Sequence, residues 1–221
     1  MCLLIKKFCG EIGLLEYDVL DDGDDLLVFL PEVHLPLLEL LPAWYLSWGF
    51  RMKVEAPARL PEQVEFCQSK PVFDGEEWVL VRNPKKAINT DYACGSKCTK
   101  WEDYLVHLRS VGVCGLSMAA GIPIFQEFYT WGINNGKTGK WDDPFSMGIR
   151  RQATIQTRAG YHARAKPVSS AARASFELAF GVPAHVQITV EQHISSLQLS
   201  RPSTNDDDSY ILDTELDSLY I

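Results

Sequence analysis

Between Gly13 and Pro31 the chain reads GLLEYDVLDDGDDLLVFLP, with two apolar runs, Leu14 to Leu20 and Leu26 to Leu30, around an Asp-Asp-Gly-Asp-Asp centre. Asp-Gly between hydrophobic runs is a strong hairpin signal, because glycine readily takes the positive φ of a tight turn. The centre is therefore the turn, and Asp21, Asp22, Asp24 and Asp25 crowd onto it. Like charges a few ångströms apart repel and raise one another's pKa, so the cluster calls for a positive partner, and a divalent cation is the natural candidate. A calcium loop of EF-hand type begun at Asp18 suits Gly23, but it puts Leu20 at a ligand position and Phe29 where the bidentate glutamate belongs. A glycosidase pair fails too, since neighbours on one turn cannot flank a sugar. On spacing alone, a solvated turn and a metal-binding turn both stay open.

Further motifs follow in order. They are Gly49-Phe50-Arg51-Met52-Lys53-Val54, Glu65-Phe66-Cys67-Gln68, Pro71-Val72-Phe73-Asp74-Gly75 and Val81-Arg82-Asn83-Pro84. Then come Pro123-Ile124-Phe125-Gln126-Glu127-Phe128-Tyr129 and Ala172-Arg173-Ala174-Ser175-Phe176-Glu177-Leu178-Ala179-Phe180-Gly181, with Pro183 and Gln187. With Gly23-Asp24-Asp25 at the hairpin tip, the series resembles the RNA-dependent RNA polymerases of tombusvirus-like positive-strand RNA viruses, from residue 1 to about residue 195.

The resemblance makes the hairpin motif C, the segment around Lys53 motif D and Phe66-Cys67-Gln68 motif E. It implies an α+β fold: a partial polymerase palm of antiparallel β-hairpins plus helices over 1–90 and a mainly α-helical thumb over 91–199, while the polar, acidic composition beyond reads as a disordered tail over 200–221. The implied reaction is template-directed nucleotidyl transfer to an RNA 3′ end by two Mg2+ or Mn2+ ions. Asp24 is then the chief metal ligand and Asp25 the second, while Asp22 stands where relatives often have Asn or Cys. Lys53 becomes a catalytic cation near the incoming nucleotide, and Phe66, Cys67, Gln68, Arg82 and Lys85 become RNA- or nucleotide-binding residues. The implied partners are RNA template and product, nucleoside triphosphates and other viral replication proteins, in the host cytoplasm. In the family, a strand with the first metal-binding Asp and a Ser-Gly helix entrance precede motif C, and neither fits before Gly23. The chain is thus expected to be a C-terminal part that needs the upstream polymerase portion for activity. The alternative is a catalytically incomplete RNA-binding or interaction module.

The residues themselves carry further expectations. A net charge of −8 argues against a surface that is wholly a nucleic-acid footprint, although much of the acid sits in the hairpin and after Asn205. Met1-Cys2-Leu3-Leu4-Ile5 before Lys6-Lys7 carries no leader pattern, and no apolar run reaches membrane-span length. The 6 cysteines, irregularly spaced, read as reduced thiols. Cys94, Cys98, His107 and Cys114 lack the second closely spaced pair of a structural zinc site.

Residues 1 to 12 read as a helix, Leu35 to Trp48 as a buried helix disturbed at Pro42 and capped by Gly49, and Phe50 to Glu55 as a strand. On that strand Lys53 suits either catalysis or a salt bridge with Glu55. Val64 to Gln68 and Glu76 to Arg82 read as a second hairpin, with Cys67 too poorly placed for a catalytic thiolate. Asn83 caps a helix opened by Pro84, where Arg82, Lys85 and Lys86 suit phosphate or plain solvent. Thr99 and Glu102 form a capping box, Phe125, Phe128 and Tyr129 are core, and Asn134 to Lys140 form a basic loop. Arg150, Arg151, Arg158, Arg164 and Lys166 make a basic stretch suited to RNA phosphates. Ser169 or Ser170 caps the next helix, which ends at Gly181 before Pro183.

Overall fold

The computed structural model describes residues 2–94, 100–139 and 163–201. They fall into two compact units, Met1–Ser69 and Lys70–Ile221, each with its own apolar core. Helices and short strands alternate along both, so the chain is α+β.

In the first unit, helix α1 (Cys2–Glu11) buries Ile5, Phe8 and Cys9 along one face. It ends ahead of Gly13, where φ of 71° lets Leu14 N–H reach back to the Cys9 carbonyl at 2.9 Å. Strands β1 (Asp18–Asp22) and β2 (Asp25–Phe29) then pair antiparallel in the register Val19↔Val28, Asp21↔Leu26, Asp22↔Asp25. Val19, Leu26 and Val28 point to one face and pack with Leu14, Leu41 and Tyr45. β1 starts later than its apolar run, because Leu14 is drawn into the core beneath α1 while Leu15 stays exposed.

Pro31 closes β2 as expected. The single buried helix over Leu35 to Trp48 is instead two pieces, a 3-10 segment (Glu32–Leu40) with no buried residue and helix α2 (Leu41–Ser47). Pro42 does not disturb a helix interior. It lies in the first turn of α2, where an amide has no intrahelical partner to lose. Gly49, with φ of 84°, ends α2 as Phe50 N–H bonds the Tyr45 carbonyl at 3.0 Å. Phe50 to Glu55 forms no strand. Phe50, Met52 and Val54 alternate with Arg51, Lys53 and Glu55, but Phe50 and Val54 stay exposed and no neighbouring strand among the described residues takes the backbone groups.

The second unit pairs β3 (Ser69–Phe73) with β4 (Trp78–Arg82) and continues into α3 (Pro84–Thr90), where Asn83 Oδ1 accepts the Lys86 amide at 3.1 Å. Helices α4 (Trp101–Ala119) and α5 (Phe125–Asn135) form its centre, burying Leu108, Phe125, Phe128 and Tyr129. They touch at glycines: a Cβ on Gly112 would lie 2.7 Å from the Tyr129 carbonyl, and one on Gly115 would lie 2.3 Å from the Tyr129 ring. Thr99 lies outside the described residues. Lys100 occupies the N-cap of α4 without a side-chain bond, and Glu102 pairs with Lys137.

Ser169 caps α6 (Ser170–Phe180) by accepting the Ala172 amide at 2.9 Å, and Gly181 closes it with φ of 72°. Helix α7 (Ala184–Ser196) follows. Arg173 on α6 grips Glu191 on α7 through two bonds of 2.9 and 3.0 Å. Glu191 also accepts the Ile124 amide at 2.9 Å, where Ile124 holds a φ of 65° ahead of α5.

Asp74 is the buried acid among the described residues of this unit. Its carboxylate accepts the amides of Glu76 and Glu77, each at 2.8 Å, and the Lys166 ammonium at 3.3 Å. Burial alone would raise its pKa, but those two amides and Lys166 outweigh it and hold the carboxyl below its usual range. A depressed folded pKa gives stability that is present above the unfolded value of about 3.9 and lost as pH falls through the folded one. Asp74→Asn is therefore expected to lower stability at pH 7 and to flatten its acid limb below about pH 5, read by urea unfolding at each pH.

Cys2, Cys9, Cys67 and Cys114 are free, whereas Cys94 is disulfide-bonded, so the expectation of thiols throughout fails at Cys94. Sequence spacing alone does not report sulfur pairing. Arg150, Arg151 and Arg158 of the basic stretch, Lys140, Cys98 and the acidic tail lie outside the described residues.

Candidate active site

The four acids of the hairpin do not share one environment. Strand alternation sends Asp21 to the core face, where Oδ2 accepts the Cys2 amide at 2.7 Å in the first turn of α1. An anion there also meets the positive end of the helix dipole. Asp22 and Asp25 stand opposite each other across the strands on the other face, both exposed. Directly opposed like charges weaken a hairpin.

A second turn answers them. Phe66 and Ser69 exchange backbone bonds of 2.9 and 3.0 Å, and between them Cys67 and Gln68 take φ of 50° and 59°. Positive φ at both central positions is the type I′ pattern. The Cys67 amide donates to Asp25 Oδ2 at 3.0 Å, and its Sγ–H donates to Asp22 Oδ2 at 3.3 Å. The strand expected over Val64 to Gln68 is thus a tight turn, and β3 begins only at Ser69. Cys-Gln carries none of the Asn-Gly chemistry that marks such turns, so sequence reading missed it.

Left-handed backbone costs a residue with a Cβ about 1–2 kcal/mol. Gln68→Gly releases that strain against about 0.5–1 kcal/mol of chain entropy, for a small net gain. Gln68→Val, β-branched at the same φ, is expected to lose roughly 1–2 kcal/mol. Chemical denaturation of the two variants checks the contrast.

Local desolvation, followed by the hydrogen bond and charge of Asp22 and then Asp25, pushes the Cys67 thiol up to about 11. It remains a protonated donor at neutral pH, which suits a structural contact and not a nucleophile. Phe66 is buried beneath the turn and Gln68 is exposed on it. Lys53 pairs with Glu55 at 3.0 Å, both well exposed, which is the salt-bridge alternative drawn from the sequence. In the other unit, Arg82 pairs with Asp91 at 2.6 Å, and Asp91 also accepts the Tyr129 hydroxyl at 2.8 Å. Lys85 is exposed on the first turn of α3.

Asp24 lies in the two-residue loop beside Gly23, whose φ is 72°, and is exposed without a hydrogen-bond partner among the described residues. Its carboxylate and the second oxygen of Asp25 are hard oxygen donors at one tip. Mg2+ takes one or two carboxylates and completes its shell with water and phosphate oxygens, so this donor set fits it and Mn2+. Among the described residues no group of three or more His, Cys, Asp or Glu is placed to hold a metal by itself, so further ligands must come from elsewhere.

The chain has relatives among known proteins. The chain belongs to the viral RNA dependent RNA polymerase family, whose model matches residues 1–202. It is 34% identical over 213 residues to the RNA-directed RNA polymerase of Oat chlorotic stunt virus, a match covering 90% of this chain and 28% of that protein. The RNA-directed RNA polymerase of Panicum mosaic virus is 33% identical over 210 residues, covering 89% of this chain and 20% of its own length. That of Tobacco necrosis virus (strain A) is 30% identical over 219 residues, covering 95% and 29%. The chain thus spans less than a third of the length of these relatives. No solved structure matches. Among the described residues no helix is long and apolar enough to cross a membrane.

Proposed function

We propose that this chain is part of an RNA-directed RNA polymerase: palm motifs C, D and E over 1–90 and a helical thumb over 91–199. The observation that carries the reading is the sorting of the hairpin acids. One oxygen each of Asp21, Asp22 and Asp25 already accepts a donor, while Asp24 presents an uncommitted carboxylate at the tip.

The chemistry a bound Mg2+ or Mn2+ supplies is a lowered pKa for the RNA 3′-hydroxyl and neutralisation of the triphosphate. Asp24 and Asp25 hold the cation. Lys53, exposed and tied among the described residues only to Glu55, is available as a cation beside departing pyrophosphate. The Phe66-Cys67-Gln68 turn supports the end of the product strand, with Phe66 as its anchor and Gln68 as its polar contact. Lys85 contacts phosphate directly, whereas Arg82 must share its guanidinium with Asp91. The partners are template and product RNA, nucleoside triphosphates, the remaining portion of the polymerase and other viral replication proteins, in host cytoplasm.

Because the described acids do not complete a metal site, a non-catalytic RNA-binding module is the second reading. The two separate in nucleotide incorporation measured with Mg2+ or Mn2+, first with this chain alone and then with it joined to the remaining portion of a relative. Product only from the joined form supports the polymerase reading. RNA binding without product from either supports the module.

A further inference from the structure

We propose that Asp91 and Tyr129 are positioning residues that hold the Arg82 guanidinium by one nitrogen and leave its other N–H groups for a phosphate. Their role rests on the polymerase reading, in which Arg82 contacts a phosphate of RNA or of a nucleoside triphosphate.

Two arginine–carboxylate pairs of the Lys70–Ile221 unit use the same chemistry differently. Arg173 and Glu191 close fork on fork, Nη1 to Oε1 at 3.0 Å and Nη2 to Oε2 at 2.9 Å, and their side chains are 20% and 17% exposed. Nη1 of Arg173 also reaches Gln187 Oε1 at 3.4 Å, so this guanidinium is spent on joining α6 to α7. Arg82 instead reaches Asp91 Oδ1 through Nη1 alone, at 2.6 Å, and its side chain is 46% exposed while that of Asp91 is 9% exposed. Its Nε and Nη2 take no partner among the described residues.

Tyr129 is what keeps the second pair open. Its hydroxyl donates to Asp91 Oδ2 at 2.8 Å, so the oxygen that a second guanidinium bond would need is already occupied. Burial, and then the charge and hydrogen bond of Asp91, push the Tyr129 pKa up, so the hydroxyl keeps the proton it donates. Thr90 Oγ1 lies 3.5 Å from Oδ1 but gives its proton to the Lys86 carbonyl at 2.7 Å. The carboxylate is thus fixed by one oxygen on a core side chain and offers the other to Arg82. A guanidinium is planar, with its donors in a rigid fork, so holding one nitrogen restricts where the rest can point. An arginine already held in place also loses less rotamer entropy when it takes an anion.

The experiment measures binding of the full 221-residue chain to two probes, fluorescent oligouridine by anisotropy and GTP by titration calorimetry. The probe that loses affinity names the source of the phosphate. Arg82→Gln is expected to weaken it about tenfold and, for RNA, to lower the slope of log affinity against log salt by about 0.7. Tyr129→Phe changes no charge, yet it frees Oδ2, lets Arg82 close fork on fork, and is expected to weaken the same probe about fivefold. The double variant is expected to match Arg82→Gln within about twofold, because the tyrosine acts only through the arginine.

Tyr129→Phe binding as wild type, or losses that multiply in the double variant, overturn the positioning role and leave the Arg82 contact standing. Wild type binding neither probe, or Arg82→Gln binding both as wild type, removes the phosphate contact and the positioning role with it. Urea unfolding checks that each variant is folded. If Tyr129→Phe does not fold, Asp91→Asn decides, since loss of an anion by itself predicts tighter phosphate binding. Weaker binding by Asp91→Asn supports the positioning role, and equal or tighter binding overturns it.

Discussion

Asp24→Asn is expected to lower Mg2+-dependent nucleotide incorporation about a thousandfold, corresponding to about 4 kcal/mol of transition-state stabilisation. The measurement is single-nucleotide extension of an RNA primer by the chain joined to the remaining polymerase portion. The size follows from what the substitution removes. Asp24 contributes the one tip carboxylate with no hydrogen-bond partner among the described residues, so its charge is not already spent on a protein donor. Asparagine keeps the shape and the turn while deleting the anion a hard cation needs, and a metal's contribution to phosphoryl transfer is several kcal/mol. RNA affinity, read by filter binding, is expected to stay the same or rise, because a negative charge leaves the surface. Incorporation by Asp24→Asn equal to wild type removes this residue from the site.

Gly115→Ala is expected to destabilise the Lys70–Ile221 unit by about 3 kcal/mol, measured as a shift in urea unfolding. The new Cβ would meet the Tyr129 ring at 2.3 Å. That ring has little room to yield, since its hydroxyl is fixed on Asp91 at 2.8 Å and Asp91 is held in turn by Arg82 at 2.6 Å. Gly112→Ala is similarly costly, because the atoms in its way are the Tyr129 carbonyl and the Ile133 amide. Gly10 on α1 provides the contrast. Nothing lies within 4 Å of a Cβ there, and Gly10→Ala is expected to gain up to about 1 kcal/mol from helix propensity alone.

The parts of the fold legible in the sequence are those specified by local chemistry. Asp-Gly between apolar runs located the β1–β2 turn, Asn83 and Ser169 marked their caps, and Gly13, Gly49 and Gly181 closed helices through positive φ. What failed needed a distant partner or an unusual backbone. Phe50 to Glu55 has strand composition but no ladder among the described residues, and Val64 to Gln68 bends because Cys67 and Gln68 adopt a conformation their side chains do not advertise. At the site, the acids and their turn could be read from sequence, but their sorting could not. Asp21 is claimed by the Cys2 amide and Asp22 by Cys67, residues 19 and 45 positions away along the chain. Lys53 was visible only as a choice between roles, and its partner in the structure is Glu55.

Glu191 answers two donors on different segments, the Arg173 guanidinium and the Ile124 amide. Exchanging the two charged residues would preserve their attraction, yet it would leave a main-chain group ahead of α5 facing a cation. Sequence drift at these positions is therefore channelled. Arginine and glutamate at these two positions cannot trade places.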